Sequence, residues 1–147
     1  MFYVNKNAEL TPDLLYKMIN KFNINVVPKL QKYKNYKDGK QAILSKSYAD
    51  ASKRVVTNYC ADIVSSYNGY IASPGYISYT SDNDIESIMD CLRYNDYQDE
   101  DADFLNDALT YGVAAELMYT DERGQVRFRL IGHTTCFGIY DGSLSGD

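Results

Sequence analysis

Tryptophan is absent from this chain of 147 residues, histidine occurs once and proline three times. A single imidazole leaves little room for histidine-rich metal centres or for chemistry that needs several bases near neutral pH. Cysteine is also scarce. Cys60, Cys91 and Cys136 are odd in number, widely spaced and without a C-x-x-C pair. That pattern argues against a disulfide framework, and buried free thiols are the expected state. No apolar run approaches the ~18 residues that a membrane-spanning helix needs. The start, Met1-Phe2-Tyr3-Val4-Asn5-Lys6-Asn7, lacks the basic-then-apolar order of a signal peptide. These absences predict a soluble chain made in the cytosol, with no membrane partner.

Tyrosine and unevenly placed charge are abundant. The chain has 15 tyrosines, and a tyrosine ring with a polar tip suits half-buried surfaces and interfaces. At 45% hydrophobic and 24% charged residues, wholesale disorder is excluded and the length suits one compact domain. Residues 1–60 hold eleven Lys/Arg against four Asp/Glu, a balance of +7. Residues 61–147 hold four against sixteen, a balance of −12. A net-negative chain is a poor free binder of nucleic acid. Two readings of the split stand side by side. The halves neutralise each other within one monomer, or the basic half of one copy meets the acidic half of the next.

Local patterns give the elements. Thr11-Pro12-Asp13 is a helix start, followed by Leu14, Leu15, Met18, Ile19 and Phe22 at helical spacing. Pro28 opens a second helix over 29–37 with Leu30, Tyr33 and Tyr36 along one side, and Asp38-Gly39 closes it. A polar loop is expected over 45–57. Asn58 then caps a long helix over 59–72. Cys60, Val64, Tyr67 and Ile71 form its stripe, widened by Tyr59, Ile63 and Tyr70, so burial around much of its circumference is expected.

Ser73-Pro74-Gly75 breaks that helix, and Tyr76, Ile77, Tyr79 and Thr80 read as a short strand. Ser81 to Asp84 cap a helix faced by Ile85, Ile88, Met89 and Leu92, which Asn95-Asp96 ends. A further helix follows, acidic at its start and apolar at Phe104, Leu105, Ala108, Leu109 and Tyr111. After Gly112, strands over 113–120 and 125–131 flank the turn Asp121-Glu122-Arg123-Gly124. Thr120 opposite Gln125 sets a register with Leu117 facing Phe128 and Glu116 facing Arg129. A last strand is expected over 136–140, its edge unpaired. The fold class is α+β: several N-terminal helices, a long central helix, two shorter helices and a small antiparallel sheet. The tail 142–147 is flexible in composition.

Chemistry is sparse. His133-x-x-Cys136 has metal-ligand spacing but supplies two of the four ligands of a closed zinc site. Asp96, Asp99, Glu100, Asp101 and Asp103 lack the order of a calcium loop and suit a helix start, where the dipole favours negative charge. The glycines form no phosphate-binding loop. Lys29, Lys32, Lys34, Lys37 and Lys40, interleaved with Tyr33 and Tyr36 and followed by Lys53 and Arg54, have the composition of a nucleic-acid-tracking segment, yet the acidic remainder opposes autonomous binding. No catalytic residue, cofactor motif or metal set emerges.

The order of segments resembles the N-terminal part of portal proteins of tailed double-stranded DNA bacteriophages, of the siphophage type. Tyr33-Lys34-Asn35-Tyr36-Lys37-Asp38-Gly39-Lys40-Gln41-Ala42-Ile43-Leu44 is similar to the family's Y-Y-x-G-x-x-x-I-L segment. Val55-Val56-Thr57-Asn58-Tyr59-Cys60-Ala61-Asp62-Ile63-Val64 is similar to its N-Y-x-x-x-I-V helix start. Gly69-Tyr70-Ile71-Ala72, Tyr94-Asn95-Asp96, Ala108 to Ala114, Met118 to Gly124, Val126 to Arg129 and Ile139-Tyr140-Asp141 follow in the family's order. Ser73-Pro74-Gly75 stands where the family usually has Gly-x-Pro.

The resemblance implies a structural virion protein without enzymatic activity or cofactor. It implies a ring, usually of twelve subunits, at one capsid vertex, through which DNA is packaged and ejected and to which the tail joins. Its partners would be other portal subunits, the terminase, scaffold, major capsid and connector proteins. Double-stranded DNA would pass only through the full-length channel. The location implied is the virion, with the host cytoplasm during assembly or as a prophage product. The chain would correspond to the N-terminal part of the outer wing, with 1–28 as a helical arm. Stem, clip and crown come from later sequence in family members several times this length, so a truncation, a split gene or a prophage remnant is expected. Within that frame the charge split predicts that the basic 29–54 region of one subunit, with Lys29, Lys32, Lys34, Lys37, Lys40, Lys53 and Arg54, faces the acidic 82–107 region of its neighbour, with Asp96, Asp99, Glu100, Asp101 and Asp103 as candidate charges. The competing reading is a stand-alone nucleic-acid-binding or prophage-remnant interaction module.

Overall fold

The first helix begins where the sequence places it. Thr11 is extended, its Oγ1 accepts the Leu14 N–H at 3.3 Å, and Pro12 and Asp13 fill the first turn of α1 (Pro12–Asn25). Val26 alone separates α1 from α2 (Val27–Lys37), which therefore starts two residues ahead of Lys29, with Pro28 inside its first turn. In the computed structural model, residues 2–5, 9–41, 44, 57–73 and 77–141 are described. Residues 45–56 of the expected loop over 45–57 lie outside them, as does the tail 142–147.

Met18 and Phe22 of α1 and Leu30 of α2 are the buried hydrophobic residues among those described. Ile19, predicted on the same face, is exposed. The Phe22 ring packs on Phe137 at 5.0 Å between centroids, and Phe137 packs edge-on against Phe2 at 5.1 Å. This aromatic trio joins α1 to both ends of the described chain. Phe2–Tyr3 form β1, which pairs in parallel with β4 (Ile139–Tyr140). The edge expected to be unpaired near 136–140 thus has a partner, supplied by a segment without any strand pattern.

Helix α3 (Tyr59–Ile71) starts at Asn58, whose Oδ1 accepts the Ala61 N–H and whose Nδ2 donates to the Lys37 carbonyl at 2.6 Å. One side chain therefore ends α2 and opens α3. The expectation of burial around α3 is overturned: no residue of the helix is buried, and Tyr59, Ile63 and Tyr67 are exposed. The half-buried positions are Ala61, Val64 and Asn68, small or medium side chains on the opposite arc, which let α3 lie close to its neighbours. The thiols differ from expectation in the same way. Cys60 is exposed and Cys91 and Cys136 are half-buried.

The strand predicted at 76–80 is also absent over the described residues 77–80. Tyr79 uses its side chain instead, donating from Oη to Asp101 at 3.3 Å and packing edge-on with Tyr97 at 5.8 Å. Helix α4 (Glu86–Tyr94) follows Asp84, whose Oδ1 accepts the Glu86 N–H at 2.9 Å. Asn95 and Asp96 turn the chain, with Asp96 left-handed at φ 51°, into α5 (Tyr97–Tyr111). Gly112 ends α5 in the left-handed conformation at φ 72°, open to a residue without a Cβ at little cost.

Strands β2 (Ala115–Thr120) and β3 (Val126–Ile131) form an antiparallel hairpin. Its register differs by one residue from the sequence expectation: Thr120 faces Val126, Met118 faces Phe128, Leu117 faces Arg129 and Glu116 faces Leu130. The expected Glu116–Arg129 and Leu117–Phe128 pairs are therefore not formed. The cause is in the turn. The Asp121 carboxylate accepts the N–H groups of Arg123 at 2.8 Å and Gln125 at 2.9 Å, and the Asp121 N–H donates to the Gln125 carbonyl at 2.9 Å, so Gln125 stands opposite Asp121 instead of Thr120. The fold is α+β, as the sequence predicts, with one antiparallel and one parallel two-stranded sheet.

Candidate interaction surfaces

Helix α5 is the spine on which the other surfaces are set. It packs against α2, α3, α4 and β3. Toward α2, the Lys37 ammonium donates to Asn106 Oδ1. Toward the hairpin, Glu116 lies within electrostatic reach of Glu100 and Asp101; its carboxyl is raised above the ordinary range, first by burial and then by those two charges. Toward the following loop, the Tyr111 ring stacks on His133 at 3.5 Å between centroids and 16° between planes.

Between α2, α3 and α5 lies an apolar groove of about 360 Å³, lined among others by Tyr33, Tyr36, Ile63 and Leu109. It opens onto the outer stripe of α3, where Tyr59 is 68% and Tyr67 58% exposed. The hairpin exposes Leu117 and Tyr119 on one face and Met118, 67% exposed, on the other. Sequence periodicity singled out the α3 stripe but assigned it to the interior. In the hairpin the sequence predicts an apolar face with Leu117 beside Phe128 and Tyr119 beside Val126, and the observed register sets them opposite Arg129 and Arg127 instead.

The predicted charged residues separate into two groups. Lys29, Lys32 and Lys34 are exposed along α2, and Lys40 pairs only with its neighbour Asp38 at 3.8 Å. Asp96, Asp99 and Asp103 are exposed at the start of α5, whereas Glu100 and Asp101 are half-buried. The two helices touch within one protomer, yet among the described residues no ion pair joins them. Lys53 and Arg54 lie outside the described residues.

His133 and Cys136 both border a second cavity of about 250 Å³ with Phe137 and Tyr140. Burial lowers the His133 pKa from its ordinary value; Asp107 opposes the shift and Lys34 adds to it. The Cys136 thiol points to the Gly132 carbonyl at 3.7 Å. Among the described residues, no group of three or more His, Cys, Asp or Glu comes together as a metal site.

Fold and surfaces together define an α+β module whose charged and apolar faces lie open to solvent. The family of phage portal proteins, SPP1 Gp6-like, matches residues 17–147, and the chain belongs to that family. The family is structural, not enzymatic, and its place is the virion capsid. A comparison with curated proteins finds no match. Among the described residues no helix is long and apolar enough to cross a membrane.

Proposed function

We propose that the chain is the N-terminal part of a portal wing, built into a ring at the capsid vertex for DNA packaging, ejection and head–tail joining. The observation that carries this reading is the family match over residues 17–147. The surface supports it, because among the described residues Met18, Phe22 and Leu30 are the buried hydrophobic ones and much apolar area is exposed. In this reading residues 1–28 are a helical arm and the tail 142–147 is flexible. Work is done through contacts and no reaction is catalysed. Other portal subunits are the first partners, followed by terminase, scaffold, major capsid and connector proteins. DNA touches only the channel of the complete ring. The protein resides in the virion, and in the host cytoplasm while particles assemble or when a prophage expresses it.

The lysines of α2, with Lys53 and Arg54, then face the acids at 96–103 of the neighbouring subunit. Exposed charges of opposite sign on two helices suit a head-to-tail contact, in which each subunit offers a different surface. Salt at ~1 M shortens the screening length to about 3 Å and weakens such a contact. The test is electron microscopy and native mass measurement of the purified protein across a salt series. Closed rings that loosen as salt rises are expected. A monomer at every concentration overturns ring assembly by this chain alone, and rings indifferent to salt overturn the charge pairing.

A further inference from the structure

We propose that the outer edge of β2 docks β2 of a second copy of this chain, antiparallel about a two-fold axis at Met118. The inference goes beyond the portal reading, whose ring contact is head to tail. The hairpin is a two-stranded sheet of its own, and such a pair is marginal by itself. Its β3 edge is already closed around Phe128. The Phe128 N–H and the Val126 carbonyl turn away from β2 and bond to Asn95. Bonded and unbonded pairs alternate along an antiparallel ladder, so Met118–Phe128 and Thr120–Val126 exchange no bonds across the hairpin. The Asp121 N–H, bonded to the Gln125 carbonyl at 2.9 Å, fixes the same alternation one step further on. The N–H and C=O groups of Glu116, Met118 and Thr120 therefore point out of the hairpin on the β2 side. Among the described residues no backbone group bonds to them, and Glu116 to Thr120 are all exposed.

The occupant follows from the order of residues along this edge. Pairing about Met118 sets Met118 opposite its own copy and Glu116 opposite Thr120 in both directions. All three outward residues are then used, each pair exchanging both of its N–H···O bonds. On that face Phe128, Met118 and their two counterparts form an unbroken apolar row across four strands. On the other face Leu117 meets Tyr119, with Arg129 and Arg127 outside them. Three strand spacings, about 14 Å, separate the arginines of the two copies, more than the Debye length of about 10 Å at 0.1 M salt. Other registers fit worse. Centring on Glu116 sets that carboxylate against its own copy, and centring on Tyr119 sets it against Glu122. Like charges directly opposite destabilise a sheet. Centring on Leu117 or Thr120 leaves outward residues facing positions beyond the strand. This match of β2 to its own reversal favours a second copy over an unrelated strand. The contact is isologous and closes at two copies.

Amide hydrogen exchange of the full chain, followed by NMR across a concentration series, tests the edge. The amides of Glu116, Met118 and Thr120 are expected to gain about tenfold protection or more as concentration rises, while those of Leu117 and Tyr119, bonded to β3, do not change. Oxidation reads the register. Leu117→Cys protein mixed with Tyr119→Cys protein, both carrying Cys60→Ser to silence the exposed native thiol, is expected to give covalent heterodimers, because that pair brings Cα atoms to about 4.5 Å. Neither variant alone is expected to link to itself. Met118→Lys sets two ammonium groups opposite each other at an exposed position and is expected to weaken the dimer about tenfold or more, with an unchanged far-ultraviolet spectrum. Four results overturn the proposal: a monomer at every concentration, dimers whose three outward amides exchange as in the monomer, Leu117→Cys linked to its own copy, or a Met118→Lys protein that dimerises like wild type. Closed rings with those amides unprotected also overturn it and leave the portal reading standing.

Discussion

The carboxamide of Asn95 occupies the outer edge of β3 around Phe128. Its Oδ1 accepts the Phe128 N–H at 3.2 Å, and its Nδ2 donates to the Val126 carbonyl at 2.9 Å. A single side chain thus supplies the two bonds that a neighbouring strand would make. The same Nδ2 reaches back to the Cys91 carbonyl at 2.8 Å, so the residue also finishes α4. Asn95 is the buried polar residue among those described, at 7% exposure, and its polar atoms are satisfied.

Removing it strands β3's edge and leaves buried polar groups without partners. Asn95→Ala is expected to cost about 2–4 kcal/mol. Asn95→Asp keeps the acceptor for Phe128 but sets a carboxylate against two carbonyls, so its penalty is expected to shrink as acid protonates it. Urea unfolding of both variants at pH 7 and pH 4 measures this. An Asn95→Ala protein as stable as wild type refutes the clamp.

The hairpin register has its own test. Phe128 turns its N–H toward Asn95 and away from β2, which makes Met118–Phe128 a pair without mutual hydrogen bonds and with close Cβ atoms. A Met118→Cys, Phe128→Cys variant is expected to close a disulfide on mild oxidation, whereas Leu117→Cys, Phe128→Cys is not. Mass spectrometry of a non-reduced digest separates the two.

Two groups respond to acid in opposite directions. Burial lowers the folded pKa of His133, so the unfolded chain binds its proton first. Stability is therefore expected to fall as pH drops below about 6.5, the ordinary value, toward the lower folded one. His133→Phe, which retains a ring against Tyr111, is expected to flatten that decline. Glu116 is raised instead, so its charged form burdens the fold at neutral pH and the burden lifts as pH falls through the folded value. Glu116→Gln is expected to stabilise the protein at pH 7 and to make no difference near pH 3. Denaturation midpoints across pH 3–8 for the three proteins check both signs.

Glycines at two kinds of position separate conformational need from chance. Gly69 lies exposed within α3, and the place a Cβ would take is open space, so Gly69→Ala is expected to gain roughly 0.5–1 kcal/mol. Gly124 holds φ 76° in the hairpin turn, and Gly124→Ala is expected to lose about 1 kcal/mol. Thermal unfolding of the pair suffices.

Much of the fold is readable in advance wherever the determinant is local. Thr11, Asn58, Gly112 and Gly124 terminate elements through their own side chains or backbone freedom, and each stands where its pattern predicts. The failures share a cause. The hairpin register turns on the side-chain rotamer of Asp121, and the β1–β4 pairing on contacts between distant segments. The Tyr111–His133 stack leaves no mark in either local sequence. Helix α3 is the instructive case. Its periodicity is right and the burial inferred from it wrong, because an apolar stripe has the same spacing whether it meets the chain's own interior or a neighbour. The charged residues are legible as two opposed groups, but their partners depend on how copies are arranged.

The parallel pairing of β1 with β4 sets an order of events during synthesis. Phe2 bonds next to Ile139, so a segment made early waits for nearly all of the described chain before it finds its place. Closing so long a loop is slow compared with forming α1 and α2. Strand β1 is therefore a late piece to dock. Until it does, Phe22 and Phe137 lack the third ring of their cluster, and the nascent chain offers that gap to whatever is nearby.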